Sequence, residues 1–220
     1  MNLRPLLSAV LLVALVACPA AAGHGDGAAR GYTSTVTAIM PNLAGLTVQV
    51  LQGDDQLDLR NDSGRDVVIE GYDGEPYLRF AADGGVYRNA NSPATYLNQE
   101  RYGGVDVPMS ASKTAEPSWE RVSRGKAFDW HDHRIHWMST IDPAKVRQAK
   151  DQPHHVFDWN VPGTVGGEPL AIKGSLDYKP PPASSFNPIL IAPLVALALA
   201  GGIFWWARRR SEARDARARN

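Results

Sequence analysis

The chain has almost no cysteine. Cys18 is the only one among 220 residues, and it lies in an N-terminal apolar stretch that we predict is removed. A mature protein that starts near residue 23 has no thiol, which excludes disulfides, thiolate catalysis and cysteine-type zinc sites. Leu15-Val16-Ala17-Cys18 also resembles a bacterial lipobox with Cys18 as the lipidated residue. Pro19 and a predicted C-terminal anchor, which is far stronger than one acyl chain, argue against lipidation.

The chain also lacks an excess of basic charge. Its formal net charge is zero, and residues 24–187 contain 21 acidic and 16 basic side chains. Nucleic-acid binding normally needs a basic face, so this composition argues against a nucleic-acid partner. Basic residues outnumber acidic ones in the tail from Arg208 onward. Membrane topology and attraction to anionic lipid explain that local excess.

Motifs of the common enzyme classes are missing as well. The chain has no Gly-x-Ser-x-Gly elbow, no P-loop, no His-Glu-x-x-His and no Asp-rich calcium loop. We therefore predict that the protein is not an enzyme. The acidic run Asp54-Asp55-x-x-Asp58 is typical of a solvated turn rather than an ion site.

Two apolar segments predict export and membrane anchoring. Arg4, the apolar run 6–17 and the small residues 20–23 match a secretory signal. The uncharged run 189–207 is close to the roughly 20 residues that cross a bilayer, and the arginines after it predict a cytoplasmic C-terminus. The protein would then be single-pass in the plasma membrane and would contact its lipid. We predict signal peptide 1–23, exported domain 24–179, Pro/Ser-rich linker 180–188, transmembrane helix 189–207 and basic cytoplasmic tail 208–220.

Short strand-like runs dominate the exported segment. Turn residues separate them at the roughly 8–12 residue spacing of an all-β sandwich or barrel. We predict an all-β, immunoglobulin-like β-sandwich, with a long excursion over residues 88–127 and one short helix over 144–150 capped by Asp142. The predicted strands cover residues 46–50, 56–60, 67–70, 77–80, 86–87, 156–161 and 170–178, the last two forming a hairpin.

Five of the six histidines fall within residues 131–155. Histidine is the commonest metal ligand and titrates near neutrality, so the cluster indicates a metal site, a proton-handling site or a hydrogen-bonded core network. The nearby tryptophans favour the core network, because imidazole N–H groups in β-domain cores are satisfied by carbonyls or Asp. The candidate metal ligands are His131, His133, His136, His154 and His155.

The backbone conformation decides which histidines meet. In an extended strand over residues 130–138, His131 and His133 share one face and His136 lies on the other. If the chain turns after His133, then His133 and His136 meet at helical spacing. Either set suits copper or zinc, and Met109 or Met138 could add a soft donor. A signal cleaved after Gly23 would also leave His24 as an N-terminal copper chelate.

Three segments of this chain carry a family resemblance. The segments 71–79, 92–98 and 130–138, the last reading Trp-His-Asp-His-Arg-Ile-His-Trp-Met, resemble a family of exported single-span membrane proteins of high-GC actinobacteria. The resemblance implies a cell-surface location and no activity. The chain is also similar, more weakly, to periplasmic CopC-like copper-binding domains, through the all-β pattern, a histidine just after the signal and a closing hairpin.

These observations favour a non-enzymatic cell-surface protein that binds an unknown protein or small ligand outside the cell. The alternative is an extracytoplasmic copper- or zinc-binding module built from the histidine cluster. An enzyme that uses the same histidines is a third hypothesis, which the missing nucleophile motif disfavours.

Overall fold

The computed structural model describes residues 30–180 and 197–211. The first of these ranges forms ten strands, two short α-helices and one 3₁₀ helix. The elements are β1 (Tyr32–Met40), β2 (Leu46–Leu51), β3 (Gln56–Asn61), β4 (Val67–Glu70), β5 (Pro76–Phe80), β6 (Val86–Asn89), α1 (Ala94–Leu97), β7 (Trp119–Ser123), β8 (Ala127–His131), the 3₁₀ helix (His133–Ile135), α2 (Ala144–Gln148), β9 (His154–Val165) and β10 (Glu168–Tyr178).

Seven strands form a large antiparallel sheet in the order β1-β10-β9-β4-β5-β6-β7. Its centre is the long β9–β10 hairpin, in which Val165 pairs with Glu168 across a two-residue turn. Gly166 and Gly167 both have positive φ there, as tight hairpin turns of the primed types require. The structure thus contains the predicted closing hairpin.

The two ends of the β-domain are neighbours in the large sheet. Tyr32 at the start of β1 pairs with Tyr178 at the end of β10, and their rings meet edge to face at 5.4 Å. The amide of Lys179 also donates to the carbonyl of Gly31 at 2.8 Å. The chain therefore enters and leaves this domain at the same point.

Strands β2, β3 and β8 form a smaller antiparallel sheet. Alternate residues of β3, Leu57 and Leu59, are fully buried, as is Phe80 of the large sheet. The rings of Phe80 and Trp130 lie 6.1 Å apart and join the two sheets. Two antiparallel sheets around one apolar core agree with the predicted β-sandwich, and burial of each such side chain contributes about 1.5–3 kcal/mol.

The local predictions were right for most strands and wrong at two places. Of the two alternatives for residues 130–138, the structure has the turn rather than the extended strand, because β8 ends at His131 and a 3₁₀ helix follows. The short helix ends at Gln148 and its N-cap is Pro143, because Asp142 instead bonds Arg30 and Tyr32. Residues 88–127 contain more regular structure than expected, including β7.

Residues 182–220 form a second unit, of which the helix 197–211 is described. Within the described parts of the chain, no helix combines the length and the apolar character needed to cross a bilayer. The predicted signal peptide, residues 181–188 of the predicted linker and residues 189–196 of the predicted span lie outside the described residues. The membrane topology therefore stays a prediction.

Candidate metal centre

The chain turns sharply after β8, and the turn brings three histidines together. Asp132 is the N-cap of the 3₁₀ helix, and its side chain accepts from the Arg134 amide at 3.1 Å. Ile135 is fully buried and anchors the turn in the core. Histidines and anchoring residues therefore alternate along this segment. We call His131, His133 and His136 the histidine triad.

A buried ion pair holds the turn. The Arg134 guanidinium donates to both carboxylate oxygens of Asp132, at 2.8 and 2.6 Å, and the Trp130 indole donates at 2.9 Å. Burial alone raises the pKa of Asp132, but the Arg134 charge and these hydrogen bonds outweigh it and lower that pKa below its usual value. Asp132 is therefore an ionised structural anchor for the triad.

Tyr72 packs against the histidine turn and contacts both His133 and Arg134. Its ring stacks on His133 at 5.9 Å between centroids, and the Arg134 guanidinium lies 5.1 Å from the centroid of the same tyrosine ring. The Tyr72 hydroxyl accepts from the His133 amide at 3.0 Å and donates to the Asn98 side-chain oxygen. Both the backbone and the ring of His133 are fixed by these contacts.

One ligand-type nitrogen from each triad ring lies within 4.8 Å of the others. The ring centroids are 4.7 Å apart for His131 and His136, 5.2 Å for His131 and His133, and 5.5 Å for His133 and His136. His136 is 1% exposed, whereas His131 and His133 are partly exposed. The triad is thus a compact group with one deeply buried member.

Each triad ring also has one nitrogen beside an oxygen that can only accept a hydrogen bond. An ionised carboxylate and a backbone carbonyl carry no proton, so the facing ring nitrogen must be the donor. Partners of this kind orient metal-binding histidines and fix their tautomers. The contacts are His131 Nδ1 to Asp55 Oδ1 at 3.0 Å, His133 Nε2 to the Glu100 carbonyl at 2.8 Å and His136 Nδ1 to the Trp137 carbonyl at 3.2 Å.

On the neutral rings of His133 and His136, these contacts place a lone pair on the opposite nitrogen. The Nε2 atoms of His131 and His136 lie 3.1 Å apart. At that distance a proton on one nitrogen or a cation between the two must join them. A proton can join one pair of nitrogens, whereas a metal ion can accept electron density from all three.

The environment keeps the buried rings neutral. Burial, then the Arg101 charge and His131, lowers the pKa of His136 to about 3. Burial also lowers the pKa of His133, against the raising effect of its hydrogen bond to the Glu100 carbonyl. Because imidazole binds metal only in its neutral form, these two rings are ready for coordination at neutral pH.

The carboxylate behind His131 comes from the turn between β2 and β3. Gln56 pairs with His131 across the small sheet, which places Asp55 beside the imidazole. Arg101 donates to Asp54 at 2.8 Å and to Asp55 at 2.6 Å. Burial raises the pKa of Asp55, but His131 and Arg101 together lower it below its usual value.

This buried arrangement corrects one sequence prediction. Asp54 and Asp55 are 0% and 1% exposed, so the interpretation of this run as a solvated turn was wrong for both residues. The sequence reasoning also missed Arg101 and the Glu100 carbonyl as parts of the site. The sequence did not indicate that Asp54 and Asp55 lie near the histidines, because they are far from them in the chain and only strand pairing brings them to the triad.

A solvent-accessible opening lies beside two members of the triad. It has a volume of about 340 Å³ and is lined by His133, His136, Trp137, Met138, Ser139 and Phe157. Met138 belongs to this opening, whereas Met109, the other candidate soft donor, is fully exposed in a loop. An ion or small molecule can therefore approach His133 and His136 from this side.

The other two candidate histidines have different neighbours. His154 bonds the Ala149 carbonyl at 2.7 Å and stacks on Tyr178. His155 lies between Asp177 at 3.1 Å and Asp158 at 3.4 Å, with both ring nitrogens engaged. The structure thus brings together three of the five predicted ligands and places His154 and His155 outside that group. His24 lies outside the described residues.

The fold and the site define an all-β domain that carries a braced histidine triad. No family model matches the chain, and the comparisons with curated proteins and with solved structures found no match. The resemblances to exported actinobacterial proteins and to CopC-like domains therefore stay predictions.

Proposed function

We propose that this protein is an exported, membrane-anchored binding domain that holds one zinc or copper(II) ion in the histidine triad. The observation that carries the proposal is the arrangement of ring nitrogens. One nitrogen of each ring faces an oxygen acceptor, and one ligand-type nitrogen of each ring lies within 4.8 Å of the others. A hydrogen-bonded core network does not need three imidazoles in one place.

The donor set favours borderline divalent metals. Three neutral imidazoles suit zinc, copper and nickel, and the site offers no thiolate. Around zinc with Zn–N bonds near 2.0–2.1 Å, two tetrahedral ligand nitrogens lie about 3.3–3.4 Å apart. The His131 and His136 nitrogens are 3.1 Å apart, so this pair needs only a small shift to bind. The third ring must also move closer, because the three nitrogens lie within 4.8 Å of one another and zinc requires about 3.3–3.4 Å.

A three-histidine site leaves one coordination position without a protein ligand. Three protein ligands fill three positions of a tetrahedral ion, and the fourth is then available to water or to a small ligand. The apolar side chains of Trp137, Met138 and Phe157 line the opening next to His133 and His136. We propose a role in metal binding outside the cell rather than catalysis, because the sequence supplies no nucleophile motif.

The proposed location rests on the sequence. The N-terminal segment 1–23 has the features of a signal peptide, and the run 189–207 followed by arginines has those of a membrane anchor. In the helix 197–211, Arg209 and Arg210 lie over the rings of Trp205 and Trp206 at 4.2 and 3.9 Å. Such Trp and Arg pairs suit a membrane interface. The immunoglobulin-like classification is part of this proposal, although sheets of seven and three strands differ from the usual four and three.

Metal titration of the purified full-length chain tests the proposal. We expect one Zn²⁺ or Cu²⁺ per chain, with a rise in Tm on binding because metal binds only the folded site. His136→Ala should lower the affinity at least about 100-fold, or about 2.7 kcal/mol. The matched control is His155→Ala, which removes an exposed histidine that already contacts two carboxylates.

Two results would contradict the proposal. One is a wild-type chain that takes up neither ion stoichiometrically. The other is a His155→Ala variant that loses as much affinity as the His136→Ala variant. For copper(II), electron paramagnetic resonance should in addition show coupling to several nitrogen nuclei, and the pattern should simplify in the His136→Ala variant.

A further inference from the structure

A second cavity lies beside the histidine triad, between the two sheets. Its volume is about 250 Å³, and its lining includes Asp55, Tyr77, Arg88, Asn98 and His131. At roughly 30 Å³ per water it corresponds to about eight waters, so a molecule of about six to ten non-hydrogen atoms fits. We call it the inner cavity.

Arg88 is a charged residue on the inward face of β6, where apolar side chains are usual. It shares the inward face of β6 with Val86, which is fully buried, and it pairs in register with fully buried Leu78. Its Nε is shielded from solvent without a hydrogen-bond acceptor. Within residues 30–180, the Arg88 side chain forms no ion pair. A partly buried guanidinium without a counterion costs free energy, and an anionic ligand would offset that cost.

Two further polar atoms in the lining lack partners. Asn98 is 9% exposed, and its side-chain oxygen accepts from Tyr72; its buried amide nitrogen has only the Tyr77 hydroxyl nearby and makes no hydrogen bond of normal geometry. Asp55 directs Oδ1 to His131 and Arg101, whereas its Oδ2 is buried without a donor. Buried polar groups in native proteins are nearly always hydrogen-bonded, so such a concentration around one cavity indicates a missing partner.

The unsatisfied atoms are complementary to one kind of molecule. Arg88 Nε and the Asn98 amide offer donors to an anion, and Asp55 Oδ2 offers an acceptor to a hydroxyl or ammonium group. We propose that the inner cavity binds a small carboxylic acid that carries a neighbouring hydroxyl or amino group. The carboxylate lies against Arg88 and Asn98, and the hydroxyl or amino group donates to Asp55.

The inner cavity and the proposed metal centre are separable. They share His131 as a wall and Asp55, which contacts His131 through Oδ1, but His133 and His136 do not line the inner cavity. The acid therefore binds without a metal ion, through Arg88, Asn98 and Asp55. A failure of metal binding leaves this proposal standing, and the reverse is also true.

Four small probes test the proposal on the full-length chain in the presence of a chelator. L-lactate and L-alanine carry both the carboxylate and the donor, propionate lacks the donor, and lactamide lacks the carboxylate. Isothermal titration or ligand-detected NMR should show saturable binding of L-lactate or L-alanine. Propionate and lactamide should bind at least about tenfold more weakly, the difference expected for one lost polar contact.

Arg88→Gln should reduce the binding of L-lactate and L-alanine at least about tenfold, because it removes the charge that faces the carboxylate. The matched control is Arg121→Gln on the neighbouring strand, where Arg121 contacts Tyr87 on the outer face, and this variant should bind like the wild type. Circular dichroism confirms that both variants are folded. Wild-type protein that binds none of the four probes, or equal binding by Arg88→Gln, overturns the proposal.

A His133→Ala/His136→Ala variant separates the two sites. It should lose metal uptake and keep its affinity for L-lactate and L-alanine. Loss of probe binding in this variant would place the acid on the triad rather than in the inner cavity, and would overturn the proposal.

Discussion

Replacement of Asp132 by Asn tests the anchor of the histidine turn. The substitution keeps the shape and one acceptor oxygen but removes the charge that faces Arg134. Arg134 is 16% exposed and lies 2.6 Å from the carboxylate, so its guanidinium would be left largely buried without a counterion. Breaking a buried ion pair from one side typically costs about 3–5 kcal/mol.

We expect the stability loss of the Asp132→Asn variant to lie near the lower end of that range. The side-chain amide that replaces the carboxylate can still accept from one donor, and Arg134 keeps its hydrogen bond to the Glu70 carbonyl at 3.0 Å. We therefore expect a loss of about 3 kcal/mol in the free energy of unfolding. For a domain of this size, that loss corresponds to a fall in Tm of about 6–12 °C.

Urea denaturation measures the free energy of unfolding, and calorimetry measures the Tm. Asp58→Asn is the control, since Asp58 is only half-buried and accepts from Gln49 at the surface of the small sheet. It should change stability by less than about 0.5 kcal/mol. The double variant Asp132→Asn/Arg134→Met should recover at least half of the loss, because it removes the uncompensated charge. A loss smaller than about 1 kcal/mol in the single variant, or no recovery in the double, would refute the anchoring role.

Three other predictions follow from the same contacts. Asp55→Asn should weaken metal binding by about 10–100-fold, as measured by chelator competition, while the metal affinity of the Asp58→Asn control stays unchanged. Burial raises the pKa of Tyr77 to about 12, so its contribution to stability is complete below about pH 10 and is lost as the pH rises through about 12. Spectrophotometric titration at about 295 nm should show a late tyrosine, and a titration with no component above about pH 11 would contradict this. Gly174→Ala should cost at least about 2 kcal/mol, because a Cβ would overlap the ring of Trp159, whereas Gly125→Ala has room and should cost less than about 1 kcal/mol in the same denaturation assay.

The sequence predicted the strands that have a clear period of two. Leu57 and Leu59 alternate with polar residues in β3, and both are buried as that pattern predicts. β1 was missed because its alternating residues are small and polar, Thr and Ser among them, and only pairing with β10 selects its register. Such long-range pairing leaves little trace in a local window.

The candidate site was only partly visible for the same reason. The spacing of His131, His133 and His136 suggested a metal chelate, but the pattern did not show that Asp132 caps a turn that joins all three. The hydrogen-bond partners of His133 and His131, which are the Glu100 carbonyl and Asp55, come from segments far earlier in the chain. Periodicity cannot reveal contacts that depend on how two sheets pack.

The pairing of Tyr32 with Tyr178 has a practical consequence for engineering. Because the chain enters and leaves the β-domain side by side, a short linker could close residues 31 and 179, and new ends could be opened in the Gly166–Gly167 turn. Domains with adjacent ends tolerate such circular permutation. The permuted chain should keep the far-ultraviolet circular dichroism of the parent. It could then be inserted as a cassette into a surface loop of an unrelated carrier, with the histidine triad intact.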